Sequence, residues 1–164
     1  NVPIRFYDLN LRYYIFNFIG QVNSYRKDRE IYVKNLRDNF KNFYISTKVA
    51  SNQNISNHDY YNIISKSLMT INFSNSIHSH QLKARTWEGI LSGSLMLESR
   101  NDQSSMYFIE NKEIIYFDSI NDLIDKIKYF NRNKNEAKEI ALNAQDKAIN
   151  ILNIQKKNFY EIYQ

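Results

Sequence analysis

Two rhythms of apolar residues alternate along this chain. One is a short unbroken run bounded by polar residues, the pattern of a strand buried on both faces. The other recurs every third or fourth position, the pattern of a helix with one apolar side. The run at residues 15–19, stopped by Gly20, predicts a first strand, and a polar loop over residues 21–25 follows it. From Arg26 the spacing becomes helical, with Ile31, Val33, Leu36 and Phe40 as the apolar side. Residues 42–46 predict a second strand, and an Asn-rich stretch then leads to Ser56 or Asn57, which can cap a short helix through Tyr60, Ile63 and Ile64. Residues 68–73 predict the third strand. Ser79 is placed to cap a helix from His80 or Gln81 to Leu91, with Gly93 just past its end. Residues 94–98 and 113–117 predict the fourth and fifth strands. Ser119 with Asp122 opens an amphipathic helix carrying Ile120, Leu123, Ile124, Ile127 and Phe130. Asn133 with Glu136 repeats the device ahead of an alanine-rich stripe at Ala137, Ile140, Ala141, Ala144 and Ala148, and a terminal helix carries Phe159 and Ile162.

Strands alternate with helices through all five runs. That predicts an α/β class: a Rossmann-like three-layer domain with a mostly parallel sheet of about five strands and C-terminal helices. The expected division is a linker or edge segment over 1–14, the Rossmann-like domain over 15–150, and a C-terminal helix over 151–164.

Composition narrows the function more than the fold. The chain has 164 residues, one domain's worth, and only 3 Gly and 1 Pro to interrupt helices. It has no Cys, which excludes disulfides, thiolate zinc sites and Cys nucleophiles and leans toward a reducing compartment. No apolar run reaches the length of a membrane span, and no leader peptide pattern follows the first residue. A cytoplasmic location is the expectation. Because Asn1 rather than Met begins the chain, it reads as a piece of a longer polypeptide.

Aromatics make up 15% of the residues, but Asn, Ile and Lys are also abundant, which fits an AT-rich coding bias rather than a base-stacking surface. The net charge of +5 sits in the first 50 residues, where nine Lys or Arg face four acids. A basic first third suits an anionic partner such as phosphate, although much of it is a mixed, solvated helix face. No nucleic-acid-binding motif accompanies it, so a nucleic-acid partner is not expected. With so few glycines the chain makes neither a dinucleotide fingerprint nor a phosphate-binding loop of the Gly-Lys-Ser/Thr type.

The chemistry-bearing stretch is residues 79–98. Arg85 and Glu88, three apart, share one helix face, and Gln81 joins Arg85 toward the helix start. A helix N-terminus at the edge of a parallel sheet suits a diphosphate, and a carboxylate on that helix can accept from a ribose diol. The competing reading is a surface Arg–Glu ion pair of little energetic weight. His78 and His80 have a spacing a metal can use, but no Cys or paired carboxylates support them, so no metal is expected. Trp87 reads as core, and Gly89 as a place where the helix lies close to a strand.

Arg85-Thr86-Trp87-Glu88 followed by Gly93 and an apolar strand resembles the Arg-x-aromatic-Glu…Gly motif of GT-B glycosyltransferases, of the group 1 class related to the spore-maturation CgeB-like proteins. The flanks agree in order and spacing: residues 15–20 with the Arg29-led helix, Tyr60 through Phe73, residues 114–130, and residues 136–148. The resemblance implies the C-terminal, donor-binding half of a nucleotide-sugar-dependent glycosyltransferase that transfers a sugar to a glycan, lipid or protein acceptor. It implies an N-terminal domain of the same parent chain as partner, which supplies the catalytic base, so this chain alone is expected to be inactive. It implies a nucleotide diphosphate sugar as substrate and no separate cofactor. Many relatives carry a Glu, seven intervening residues and a second Glu; here Glu88 matches the second, which binds ribose, and His80 stands at the first. The implied binding residues are Gly20 for close approach of the diphosphate, Arg26 or Arg29 for the leaving nucleoside diphosphate, and His80, Arg85 and Glu88. The departure at His80 leaves an alternative: a non-catalytic glycosyltransferase-like module that binds nucleotide or glycan.

Overall fold

The computed structural model describes residues 12–22, 27–47, 55–73 and 81–162. All five expected strands form: β1 (Tyr14–Ile19), β2 (Tyr44–Ser46), β3 (Ser67–Asn72), β4 (Leu95–Ser99) and β5 (Ile115–Phe117). They make one sheet of order β2-β1-β3-β4-β5, and every pairing is parallel. β3 and β4 are buried along their whole length, which is why they read as unbroken apolar runs. The chain goes outward from β1 to β2 and then returns to place β3 on the other side of β1. The connections therefore diverge between β1 and β3, and a crevice opens at the C-terminal ends of those strands.

Helices α1 (Lys27–Asn39), α2 (Asn57–Ser65), α3 (Ala84–Leu91), α4 (Asp102–Ser105), α5 (Ile120–Arg132) and α6 (Lys134–Ile162) complete the fold. On one face, Val33 and Leu36 of α1 pack with Leu123, Ile127 and Phe130 of α5 over Phe16, Phe18 and Ile71. On the other, Ile90 of α3 meets Met96 and Tyr116, with Ala144 and Ala148 of α6 beside them. α6 serves both layers, since its earlier residues Ala137, Ile140 and Ala141 belong to the first cluster.

Several local expectations are met. Ser56 caps α2 by accepting from the Asp59 amide, and Ser119 caps α5 by accepting from Asp122. Gly93 follows α3 with φ of 68°, a left-handed turn that costs a glycine little. Gly89 faces the sheet, where an added Cβ would lie 3.2 Å from Thr70 Cγ2.

Other expectations are corrected. Ile31, assigned to the apolar side of α1, is 60% exposed; the buried polar position on that helix belongs to Arg29. α3 begins at Ala84 rather than at His80 or Gln81, and its N-cap is Lys83, with no side-chain cap bond. Residues 81–83 are held out of the helix because Lys83 Nζ donates to the Phe73 carbonyl at 2.6 Å and Asn101 Nδ2 donates to the Gln81 carbonyl at 3.1 Å. Ser79 lies outside the described residues, and Gln81 does not share a helix face with Arg85. α4 was not foreseen; Asn101 caps it through the Gln103 amide. Among the described residues no separate terminal helix begins at 151, because α6 runs without a break through that residue.

Of the expected linker, Arg12 and Tyr13 are described, and Tyr14 already belongs to β1. Arg12 is tied down firmly. Its guanidinium donates to the carbonyls of Ile64, Ser67, Ser92 and Gly93, so one cation satisfies the C-terminal turns of α2 and α3 together.

Candidate functional site

Four side chains and one glycine gather where β1 and β3 end. Gly20 leaves β1 with its amide bonded to the Ser46 carbonyl at 2.9 Å. The Arg85 guanidinium comes from the first turn of α3 and lies against it: a Cβ on Gly20 would stand 3.1 Å from Arg85 Nη1 and 3.0 Å from the Phe18 ring. Arg85 also lies over the Phe18 ring at 6.0 Å, an arrangement that holds the cation by its flat face. Any side chain at position 20 would push this guanidinium away.

Glu88 stands one turn further along α3. It does not pair with Arg85. Its Oε2 accepts a short hydrogen bond from the Tyr60 hydroxyl of α2, and Arg85 has no carboxylate partner among the described residues. The surface ion pair weighed from spacing alone is therefore absent. Burial, then the bond to Glu88, pushes the Tyr60 pKa well above its usual value, with Arg85 beside the same hydroxyl pulling it back. Tyr60 thus stays a protonated donor across the ordinary pH range.

Arg29 takes a different place from the one its charge suggests. It is 2% exposed, and its guanidinium donates to the Gln21 carbonyl at 3.1 Å and the Phe73 carbonyl at 2.8 Å while lying over the Phe73 ring. It ties the loop after β1 to the end of β3, across the crevice. Arg26 and His80 lie outside the described residues.

Beneath the start of α3 is a buried polar cluster that spacing did not reveal. Glu98 of β4 has no solvent exposure; its Oε1 accepts from Asn72 Nδ2 at 2.6 Å and from Thr86 Oγ1 at 2.8 Å, while its Oε2 has no hydrogen-bond partner. Burial raises its pKa, against the opposing pull of Ser104, Thr86, Asn72 and Lys83. Tyr116, bonded to Ser104 at 2.9 Å, is pushed up to about 12 by burial. Asn72, Glu98 and Tyr116 are register partners on adjacent strands, which is why they share one face. Trp87 packs edge-on to Tyr107 and Phe108 and is half-buried against the second cluster. Among the described residues no cluster of His, Asp and Glu is arranged to hold a metal.

Sequence reasoning brought Gly20, Arg85 and Glu88 together and missed Tyr60 as their partner. The available signal was positional only: Tyr60 stands in a motif that resembled the family's, but nothing in spacing connects it to a residue 28 positions away.

A parallel sheet that diverges between β1 and β3, with a glycine and a cation that has no carboxylate partner among the described residues at the strand ends, defines a doubly wound α/β domain with a candidate ligand crevice there. Residues 10–155 match the glycosyl transferase-like family, and the chain belongs to it. No curated protein matches the chain. Among solved structures, the C-terminal domain of the glycosyl transferase group 1 family protein LpcC from Francisella tularensis is similar, with a TM-score of 0.58 at 11% identity over 88% of this chain and 97% of that one. The Anabaena HepE structure, in complex with UDP, gives a TM-score of 0.60 at 12% identity over 90% of this chain and 40% of that one. A glycosyltransferase from Rickettsia africae gives 0.58 at 22% identity over 90% and 38%. The chain spans nearly all of the LpcC domain but about two fifths of the two longer proteins. Its fold is that of the C-terminal domain of GT-B glycosyltransferases. No helix among the described residues is long and apolar enough to cross a membrane.

Proposed function

We propose that this domain holds the nucleotide diphosphate sugar of a glycosyltransferase in the crevice between β1 and β3. Gly20 admits the diphosphate, Arg85 meets its charge, and Glu88 accepts from the ribose hydroxyls. The observation that carries this reading is the separation of Arg85 from Glu88. Three apart on one helix, they could neutralise each other; instead Glu88 takes the Tyr60 hydroxyl and the Arg85 guanidinium lies against Gly20. A cation without a carboxylate among the described residues, next to a residue without a Cβ, suits the developing charge of a leaving nucleoside diphosphate. Arg29 serves this site by shaping the loop that follows β1, through the carbonyls it holds. Arg26 and His80 keep their assignments, Arg26 to the leaving diphosphate and His80 to a phosphate or sugar hydroxyl. The HepE structure with UDP supports a nucleotide diphosphate in this kind of domain.

A second α/β domain of the parent chain would close the crevice and supply the base that activates the glycan, lipid or protein acceptor. This domain alone would bind donor and transfer nothing. Its absence of Cys fits work in a reducing cytoplasm.

Titration of the folded domain with UDP, GDP, the free nucleosides and pyrophosphate tests the proposal. Binding in the micromolar-to-millimolar range, tighter for a nucleoside diphosphate than for its nucleoside, is the expected result. A well-folded domain that binds none of the diphosphates would overturn the donor reading and leave an interaction module in its place.

A further inference from the structure

We propose that Tyr60 is a positioning residue that keeps Arg85 and Glu88 apart, so that one answers the diphosphate and the other the ribose. This inference rests on the donor-binding reading above and extends it to a residue on another helix. Its basis is the contact pattern at the ends of α2 and α3. Arg85 and Glu88 occupy positions three apart on α3, the spacing at which an Arg and a Glu on a helix ordinarily meet. They do not meet here. The Tyr60 hydroxyl donates to Glu88 Oε2, and the Arg85 charge acts on the same hydroxyl.

The chemistry of a phenol suits that place. It has one proton to give and lone pairs to accept with, so it can donate to a carboxylate and accept from a guanidinium at once. Because both burial and the bond to Glu88 favour its protonated form, the proton stays on the tyrosine. One lone pair of Oε2 is used; Oε1 makes no bond among the described residues and is left for a ribose hydroxyl. On the cation's side, Arg85 Nε is buried without a hydrogen-bond partner, while Nη1 is packed at Gly20. The guanidinium is thus held at the β1 end by packing, with no acid among the described residues to cancel its charge. Remove the Tyr60 hydroxyl and the nearest relief for both charged groups is each other. The result would be the helical ion pair that the native structure lacks, with the diphosphate losing its cation and the ribose its acceptor together.

Four proteins and three ligands test this. The wild-type domain, Tyr60→Phe, Glu88→Gln and the double variant are titrated with pyrophosphate, with the nucleoside diphosphate that binds better of UDP and GDP, and with its 2′-deoxy counterpart. In the wild type the ribose form should bind about tenfold tighter than the deoxy form, as a hydrogen bond to a charged group implies. Tyr60→Phe should lose most of that preference and also weaken pyrophosphate by about three- to fivefold, the scale of a partly exposed ion pair formed at its expense. Adding Glu88→Gln to Tyr60→Phe should bring pyrophosphate back to near the wild-type value, while the ribose preference stays lost.

That rescue is the decisive reading, because a tyrosine that only packs α2 against α3 predicts a double variant no better than Tyr60→Phe. Failure of the rescue, or an unchanged ribose preference in Tyr60→Phe, overturns the role of Tyr60 while leaving donor binding in place. No nucleotide binding by the folded wild type overturns the donor reading and this one with it. Should Tyr60→Phe fail to fold, Tyr60→His keeps a ring N–H donor near the same place. It should then retain part of the ribose preference; its complete loss in a folded Tyr60→His domain counts against the assignment.

Discussion

Glu98 is an acid with no solvent contact, held by Asn72 and Thr86 on one oxygen and bare on the other. Because burial raises its pKa in the folded chain, the native state keeps a proton that the unfolded chain releases at the ordinary glutamate value of 4.5. Above that pH the unfolded state binds fewer protons than the native state, so stability falls as pH rises until the native Glu98 itself ionises. In Glu98→Gln the amide oxygen keeps both accepted bonds and no proton is involved. Thermal melts from about pH 4 to pH 8 should therefore show the variant gaining on the wild type as pH rises. A difference that does not change with pH would remove this account of Glu98. At Glu88, replacement by Gln keeps the shape and weakens charge-assisted bonds. Nucleotide affinity should drop by about 1.5–3 kcal/mol with pyrophosphate affinity unchanged, as read by calorimetric titration. Equal losses for both ligands would mean that Glu88 only positions its helix.

At the scale of an element, α3 shows two demands in conflict. Gly89 lowers helix propensity by about 1 kcal/mol against Ala. It is tolerated because an added Cβ would fall on the Met96 side chain and close to Thr70 on β3. Gly89→Ala should destabilise the domain by about 1 kcal/mol in urea unfolding, overpacking outweighing propensity. Combined with Met96→Leu, which removes the methyl group that is struck, the same change should become neutral or stabilising. Persistence of the full loss in the double variant would place the conflict elsewhere. The start of α3 is set by neighbours rather than by its own cap: Lys83 is drawn to the end of β3, and Gln81 is held by the loop before α4. That is why a serine four residues earlier gave the wrong boundary.

Across the whole molecule, Arg12 joins what the chain separates. Its guanidinium reaches carbonyls 52 to 81 positions away, at the ends of α2 and α3 and the start of β3. Arg12→Leu would leave those carbonyls short of a donor and should cost about 2–3 kcal/mol in urea unfolding. Nucleotide affinity should change little, since the crevice lies at the opposite edge of the sheet. A variant as stable as the wild type would show that water replaces the guanidinium there without penalty.

The sheet was legible in the chain because a strand buried on both faces is a local fact. β3 and β4 have no polar side to show, so the runs at 68–73 and 94–98 announce themselves without their partners. Ser56, Ser119 and Gly93 were legible for the same reason: a cap or a left-handed turn needs only the next few residues. The motif at Arg85 and Glu88 marked the candidate site, and the order of elements placed it at a strand end. What the sequence left open was which charge meets which group. Arg29 and Arg85 are equal as letters, but the fold buries one against two carbonyls and leaves the other beside Gly20. Glu88 pairs with a tyrosine on another helix rather than with the arginine one turn away, and Glu98 is buried by register with Asn72 and Tyr116. Those outcomes depend on contacts between residues far apart in the chain, and only the packing of helices on the sheet brings them together.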